Sequence, residues 1–487
     1  MNKHFVGKNT NSKLRTKSPK SQTASLYEAL DEAPLSLFHY KAMITAGVGF
    51  FTDAYDLFII GAAVVLIKEQ WQLSPAQVGL LGSSTLVATF AGAFIFGHIA
   101  DKAGRKAVYG VEALIMAISA LASAFSPNYV LLIIFRVILG FGIGGDYPVS
   151  GVIMSEYSNR ANRGKLVSLV FSMQALGLVI GPIVALTLLA AGINHELAWR
   201  IMLGLGALPA LAVIHFRRNL PESPRFLASV KGETSLALKH MHKFSGGVVQ
   251  ATMVSQRKVT HSFRSFIRNR RNLALLFGTA GSWFLLDYAY YGNTISTPLI
   301  LKNVAPGATL VQSIAWSLII FVVAAAPGYL AAVSFIDKIG HRKLQWIGFL
   351  IMGACFIALG LIPGITHSIM PFLLLYGLSY FFTEFGPNVT TFVIPTEVYT
   401  VNGRTTGHGI SAGIGKLGAF IGVFTFPVLT THFGLAGTLL LSGGFCVFGA
   451  LLTFILPEPN GKSLEEVSKE ELYIINPLSK PAYAEQI

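Results

Sequence analysis

Charge is what this chain has least of. Only 12% of its 487 residues are Asp, Glu, Lys or Arg, against about 25% in a soluble protein, and so few charges also exclude a disordered chain. Cysteine is nearly missing. The two present, Cys355 and Cys446, lie inside apolar runs, which excludes a disulfide-stapled secreted scaffold and reads both thiols as inert packing residues. No metal-ligand cluster and no nucleophile–base pair with useful spacing is visible, so neither enzyme activity nor a bound cofactor or metal is expected. Apolar residues are plentiful: 53% of the chain, with 49 glycines and a mean hydropathy of +0.59. The net charge of +14 could serve nucleic acid, but the bases stand between long uncharged stretches and form no soluble basic face. The pattern is that of a membrane protein.

A bilayer core needs about 20 consecutive apolar residues per helix. Twelve such stretches follow one another, centred on 42–67, 78–99, 107–125, 128–151, 166–190, 198–215, 273–293, 312–335, 346–363, 369–394, 408–431 and 433–456. The reading is an all-α membrane protein of twelve spans, organised as an N-terminal segment (1–41), a first six-helix half (42–215), a basic loop (216–272), a second half (273–456) and a C-terminal tail (457–487). The first forty residues are polar and basic and contain no cleavable apolar core. With the N-terminus in the cytoplasm, all but five of the 37 basic residues fall on the inner side or in the tails. The exceptions are Lys68 and Lys302 in outer loops, Arg200 at an outer helix end, and Arg136 and Lys416 within spans. This asymmetry predicts both termini inside. The loop from 216 to 272 carries twelve Lys and Arg against Glu222 and Glu233, and is expected to lie on anionic lipid. Leu26 to Tyr40 alternates leucines and aromatics with acids, which suggests a short helix in the membrane interface.

The two halves repeat. Gly97-His98-Ile99-Ala100-Asp101-Lys102-Ala103-Gly104-Arg105-Lys106 follows the second span, and Asp337-Lys338-Ile339-Gly340-His341-Arg342-Lys343 follows the eighth. Glu156 with Arg160 and Arg163 follows the fourth, and Glu397 with Arg404 the tenth. Pro221-Glu222-Ser223-Pro224-Arg225 follows the sixth, and Pro457-Glu458-Pro459-Asn460-Gly461-Lys462 the twelfth. Asp101, Arg105, Asp337, Arg342, Glu156 and Glu397 are therefore expected as structural or gating charges. Repeats of this kind decide the architecture, a chain built from two related halves. The paired turns resemble the loop signature of the major facilitator superfamily, a resemblance that covers about 40–465. It implies two six-helix bundles around a central cavity, exposed alternately to either side.

The spans also contain Asp53, Asp56, Glu112, Asp146, Asp287, Glu384, Arg136 and Lys416. Each such charge at mid-bilayer costs roughly 2.5–3.5 kcal/mol on the insertion scale, so these groups face a cavity and find partners. Arg136 is a candidate for a helix-locking ion pair with an acid of the first or fourth span. Six acids against two bases suit an anion site only if several carboxyls are protonated, as burial and like-charged neighbours make them. Asp53, Asp56, Glu112 and Asp146 are read as the proton-handling group. Trp283, Asp287 and Tyr291 recur at four-residue spacing on one helix stripe, so an indole donor, a carboxylate and a phenol converge. Lys416 adds a point charge, and Asn388 can donate and accept. The run Gly140-Phe141-Gly142-Ile143-Gly144-Gly145-Asp146-Tyr147-Pro148 permits close helix contact; with no strand before it, it is not a nucleotide loop.

The segments Gly47-Val48-Gly49-Phe50-Phe51-Thr52-Asp53-Ala54-Tyr55-Asp56, Gly144-Gly145-Asp146-Tyr147-Pro148, Trp283 with Asp287, and Phe385-Gly386-Pro387-Asn388 with Lys416 resemble the phosphate:proton symporters of that superfamily. The resemblance implies that Tyr147, Gln174, Trp283, Asp287, Tyr291, Asn388 and Lys416 contact inorganic phosphate and that Asp53, Glu112 and Asp146 carry protons. It leaves Glu384 without a role. Alternatives on the same fold are a symporter for another small anion, a phosphate ester or a sugar, and a nutrient sensor. The expected location is the plasma membrane, with a bacterial inner membrane favoured by the compact loops.

Overall fold

The computed structural model describes residues 26–245 and 263–470, and among these there is no strand. Among the described residues ten helices are long and apolar enough to cross a membrane: Leu37–Trp71, Pro75–Ala103, Arg105–Ala124, Tyr129–Tyr157, Arg163–Ala190, His195–Asn219, Leu310–Ile339, His341–Leu361, Ile369–Val398 and Arg404–Thr453. The twelve expected spans are reached from these ten for two physical reasons. Helix Arg270–Ile295, the seventh span, is diluted by polar residues such as Asp287 and Asn293. The 50-residue helix Arg404–Thr453 holds two spans, because Gly434 takes the left-handed φ of 67° with ψ 174° and breaks it, a conformation that costs glycine nothing and other residues much.

The helices run longer than the apolar stretches, and their extra turns carry the paired charges of one end. That end holds the 97–106 and 337–343 turns and is called the basic end below. Polar caps start several helices, with Ser74 accepting from Gln77 N and Asn128 from Leu131 N, which satisfies otherwise orphaned helix donors. Between the halves, the second span lies against the eleventh and the fifth against the eighth; within each half the fourth lies against the second and the seventh against the eleventh. The fourth span can approach so closely because of its glycines. A Cβ on Gly144 would fall 2.4 Å from the Thr89 carbonyl oxygen, so any larger residue would push the second and fourth spans apart. Bulky apolar side chains such as Ile118, Leu121, Val130, Leu374 and Leu451 point outward, as a lipid-facing surface requires.

Two expectations change here. The helix near the N-terminus exists, at Leu26–Asp31, but Leu26 and Leu30 are buried in the protein and Asp31 accepts from both Arg163 and Arg225, so it docks on the basic end rather than lying in lipid. The basic loop also begins later than 216, since the sixth span continues to Asn219 and takes Arg217 into the core. The bases of 1–25, together with Arg257 and Lys258, lie outside the described residues.

Candidate functional site

Charged groups gather in three places, one at the middle of the seam between the bundles, one inside the N-terminal bundle and one at the basic end. At the middle of the seam, the Lys416 ammonium donates to Asp287 Oδ2 and to the Tyr291 hydroxyl, each at 2.8 Å. It also sits 4.1 Å from the Tyr291 ring centre and 4.7 Å from that of Tyr147, where the aromatic faces add attraction for a cation. The four-residue spacing of Asp287 and Tyr291 puts both on the face that meets the eleventh span. Trp283, one turn earlier, is fully buried. Its Nε1 and Asp287 Oδ1 make no hydrogen bond of normal geometry, although buried polar atoms are nearly always satisfied. A second strand of contacts crosses from one bundle to the other. Asn388 donates to the Tyr329 hydroxyl at 2.9 Å, Tyr329 to Gln174 Oε1 at 3.2 Å, and Gln174 Nε2 to the Tyr147 hydroxyl at 3.2 Å. All seven residues expected to touch substrate thus lie in one buried cluster, joined by Tyr329, which the sequence reading missed.

Aromatic side chains close this cluster on both sides. Phe171 stacks on Phe392 at 4.6 Å between ring centres, and Phe50 meets Tyr147 and Phe392 from the basic end. On the opposite side, Phe58 stacks on Tyr291 at 5.4 Å. Beyond Phe58, a cavity of about 160 Å³ lies between the halves, lined by Lys68, Glu69, Pro298 and Lys302 among others.

The second place is in the N-terminal bundle. Arg217 donates to Glu112 at 2.8 Å and to Asp146 at 2.7 Å, all three fully buried. Glu112 and Asp146, expected to handle protons, are therefore held by a base that the sequence reading had assigned to the loop. A Cβ on Gly49 would strike both Arg217 and Asp146, which explains the small residue in that run, but nothing local in the sequence marks Arg217 as buried. Asp146 also accepts from Ser150. Asp53 and Asp56 are buried, and none of their carboxyl oxygens has a hydrogen-bond partner. Arg136 does not form the expected ion pair. Its guanidinium donates to the main-chain carbonyl of Asp56 at 2.8 Å.

The third place is the basic end. Arg105 pairs with Asp101 at 3.3 Å and Glu156 at 3.0 Å, and Arg404 from the other half joins Glu156 at 3.1 Å. Asp101 accepts from the backbone of Thr405 and Thr406. In the second half His341, not Arg342, stands in the place of Arg105. It contacts Glu397 at 2.9 Å and Asp337 at 3.4 Å, while Arg163 approaches Glu397 at 4.0 Å. Arg342 donates instead to the Leu456 carbonyl, and its backbone N–H to Glu458. Counting four residues from each aspartate, Asp101 to Arg105 and Asp337 to His341, would have found the match. Outside the spans, Arg225 joins Asp31 and Glu465. Burial pushes Glu465 up, but the Arg225 guanidinium prevails and holds its carboxyl below the usual range. Burial prevails at Asp31, whose carboxyl sits above its usual range despite Arg225 and Arg163.

Two six-helix bundles with a buried ionic centre on their seam define a secondary transporter of the major facilitator fold. The sequence model of the "Sugar (and other) transporter" family matches residues 41–470, and the chain belongs to that family: it is a multi-pass membrane transporter and not an enzyme. It is 38% identical to the "Probable inorganic phosphate transporter 1-6" of Arabidopsis thaliana, over 92% of this chain and 97% of the relative. It is 36% identical to the "Low affinity inorganic phosphate transporter 1" of Petunia hybrida, over 91% and 95% respectively. Among solved structures, the proton:xylose symporter XylE bound to 6-bromo-6-deoxy-D-glucose superposes with a TM-score of 0.74 at 21% identity, covering 89% of this chain and 98% of that one. That likeness is one of fold.

Proposed function

We propose that the chain is a proton-coupled symporter that imports inorganic phosphate by alternating access. The observation that carries this reading is the Lys416 centre, a buried ammonium paired with a carboxylate and a phenol beside polar groups contributed by both bundles. Monobasic phosphate has hydroxyls that can donate to Asp287 and oxygens that can accept from Lys416, Tyr147, Tyr291, Gln174, Asn388 and Trp283. The indole N–H and Asp287 Oδ1, which meet only each other and outside normal hydrogen-bond geometry, suit that ligand. The names of the relatives support the same substrate. A neutral sugar makes no use of the ammonium, so the anion is favoured over it.

In the proposed cycle, Asp53, Asp56, Glu112 and Asp146 load protons while the seam is open on the side away from the basic end. A proton on Asp146 or Glu112 removes one of the two charges balancing Arg217, and a buried charge left unpaired costs several kcal/mol. The bundle therefore rearranges around Arg217 when it is protonated, which links loading to rocking. Opening at the basic end needs Asp101, Arg105, Glu156 and Arg404 to separate, with their counterparts Asp337, His341, Glu397 and Arg163. Phosphate then leaves towards the basic end, which we assign to the cytoplasm together with both termini.

The membrane we assign is the plasma membrane. The named relatives are plant proteins, so compact loops alone do not carry the bacterial assignment. Arg218, Lys231, Lys239, Lys243, Arg264, Arg268 and Arg270 are exposed on the basic end and suit contact with anionic lipid. Radiolabelled phosphate uptake into proteoliposomes with an acid exterior tests the function. The gradient should drive accumulation that unlabelled phosphate abolishes and that glucose, glycerol phosphate and benzoate leave intact. Uptake indifferent to the gradient would remove proton coupling, and competition by one of the others would change the substrate.

A further inference from the structure

Glu384 is the one buried acid on the seam that the cycle above leaves idle. It is fully buried on the tenth span and opens a π-helical turn, Glu384–Asn388, that contains Pro387. Such turns widen a helix and re-aim its side chains, and they recur at functional sites. Here the turn brings Glu384 Oε2 within 2.5 Å of Asn388 Nδ2. Both N–H bonds of the Asn388 amide are thereby engaged, one on Glu384 and the other on Tyr329. The second oxygen, Oε1, makes no hydrogen bond of normal geometry, and the Tyr290 and Tyr329 hydroxyls approach the carboxyl outside that geometry.

The surroundings explain how a proton could reach this carboxyl. On the side away from the basic end, hydroxyls form a ladder between the seventh and tenth spans. Tyr380 donates to Thr294 at 2.9 Å, and the Thr297 hydroxyl lies 3.1 Å from both Tyr380 and Tyr376. Glu384 stands one helical turn below Tyr380, at the inner end of that ladder. The titratable groups around it are Tyr290 and Asp287 of the seventh span, Tyr329 of the eighth and Tyr380 of its own, and Lys416 already balances the charge of Asp287. No base faces Glu384: among the described residues it has no salt bridge.

We propose that Glu384 is a proton site linked to substrate, binding its proton together with phosphate. This rests on the phosphate–proton reading of the same centre. In its charged form the carboxylate adds a negative charge beside an anion site and holds one N–H of Asn388 away from the ligand. With a proton the charge disappears, the bond to Asn388 weakens, and Asn388 N–H and the carboxyl O–H can both donate to phosphate oxygens. Phosphate therefore favours the protonated form, and by linkage the proton favours phosphate binding to the same degree.

Glu384→Gln mimics the neutral acid and tests this. Phosphate affinity of the purified wild type and E384Q is measured from pH 5 to pH 8, so that the titration of phosphate itself cancels in the comparison. Melting temperature at each pH reports folding. In parallel, charge moved per phosphate is measured in proteoliposomes. Wild-type affinity should fall with rising pH by up to about tenfold more per unit than that of E384Q, and E384Q should carry one proton fewer per phosphate. Parallel affinity profiles with an unchanged charge ratio would overturn the proposal, as would a folded E384Q that binds no phosphate at any pH. Wild type that neither binds phosphate nor responds to the gradient would instead remove the function on which the proposal rests.

Discussion

The charge clusters at the basic end of the two halves have the same plan and different chemistry. In the first, Asp101, Arg105 and Glu156 are completed by Arg404 from the other half; in the second, Asp337, His341 and Glu397 are approached by Arg163 from the first. Each half thus lends an arginine to the other, so both clusters join the bundles as well as anchor their own turns. The difference lies in the central base. Arg105 spreads a planar guanidinium over Asp101, Glu156 and the Val401 carbonyl, whereas His341 has one ring nitrogen for each of its two carboxylates and no further donor. The first cluster is a branched lock that itself reaches the other half, and the second is a simpler one with a single contact to each acid.

The branched lock should give the largest effect when broken. Glu156→Gln leaves Arg105 and Arg404 buried with half their compensation, at a cost of about 3–5 kcal/mol to the closed basic end. Phosphate uptake should fall by tenfold or more, on the order set by that cost, and a cysteine reporter at the basic end should label faster than in wild type; unchanged labelling would remove the locking role. The second cluster offers a graded test. His341→Arg gives the second lock the same base as the first without changing its charge, so uptake should stay within about threefold of wild type and keep its dependence on internal pH. His341→Gln should reduce uptake several-fold at every pH. A pH profile that flattens in H341R would contradict a histidine kept charged by its two carboxylates.

The smallest effect belongs to the tail. The Glu465 carboxyl is held below its usual range by Arg225 once burial is overcome, so its contribution is present above the unfolded value of about 4.3 and is lost as pH falls through the lower folded one. Asp31 lies above its usual range and works in the opposite sense. Glu465→Gln should cost about 1 kcal/mol near pH 7 and flatten the acid limb of a melting-temperature profile. An acid limb identical to that of wild type would exclude the pair as a tail latch.

Much of this arrangement could be read from the residues alone, for identifiable reasons. Long apolar runs have one outlet in a bilayer, so the spans were legible. The shared stripe of Trp283, Asp287 and Tyr291 followed from helix periodicity. What escaped were features set by packing. Arg217 adjoins Arg218 in the chain, and only the sixth span's rotation turns one inward and the other to solvent. Arg136 is satisfied by a main-chain carbonyl, an acceptor that every residue carries and that no side-chain pattern announces. Tyr329 stands alone in an apolar span, where nothing local separates a hydrogen-bonding phenol from a packing ring. His341 was displaced by its neighbour Arg342 because residue type was matched before spacing.

The central claim is that an anion binds at the Lys416 centre, and direct titration of phosphate into purified protein tests it most simply. Wild type should bind saturably at acid pH, and Lys416→Gln, folded by the same melting criterion, should bind at least about a hundredfold more weakly. Phosphate affinity that is the same in both proteins would contradict the account.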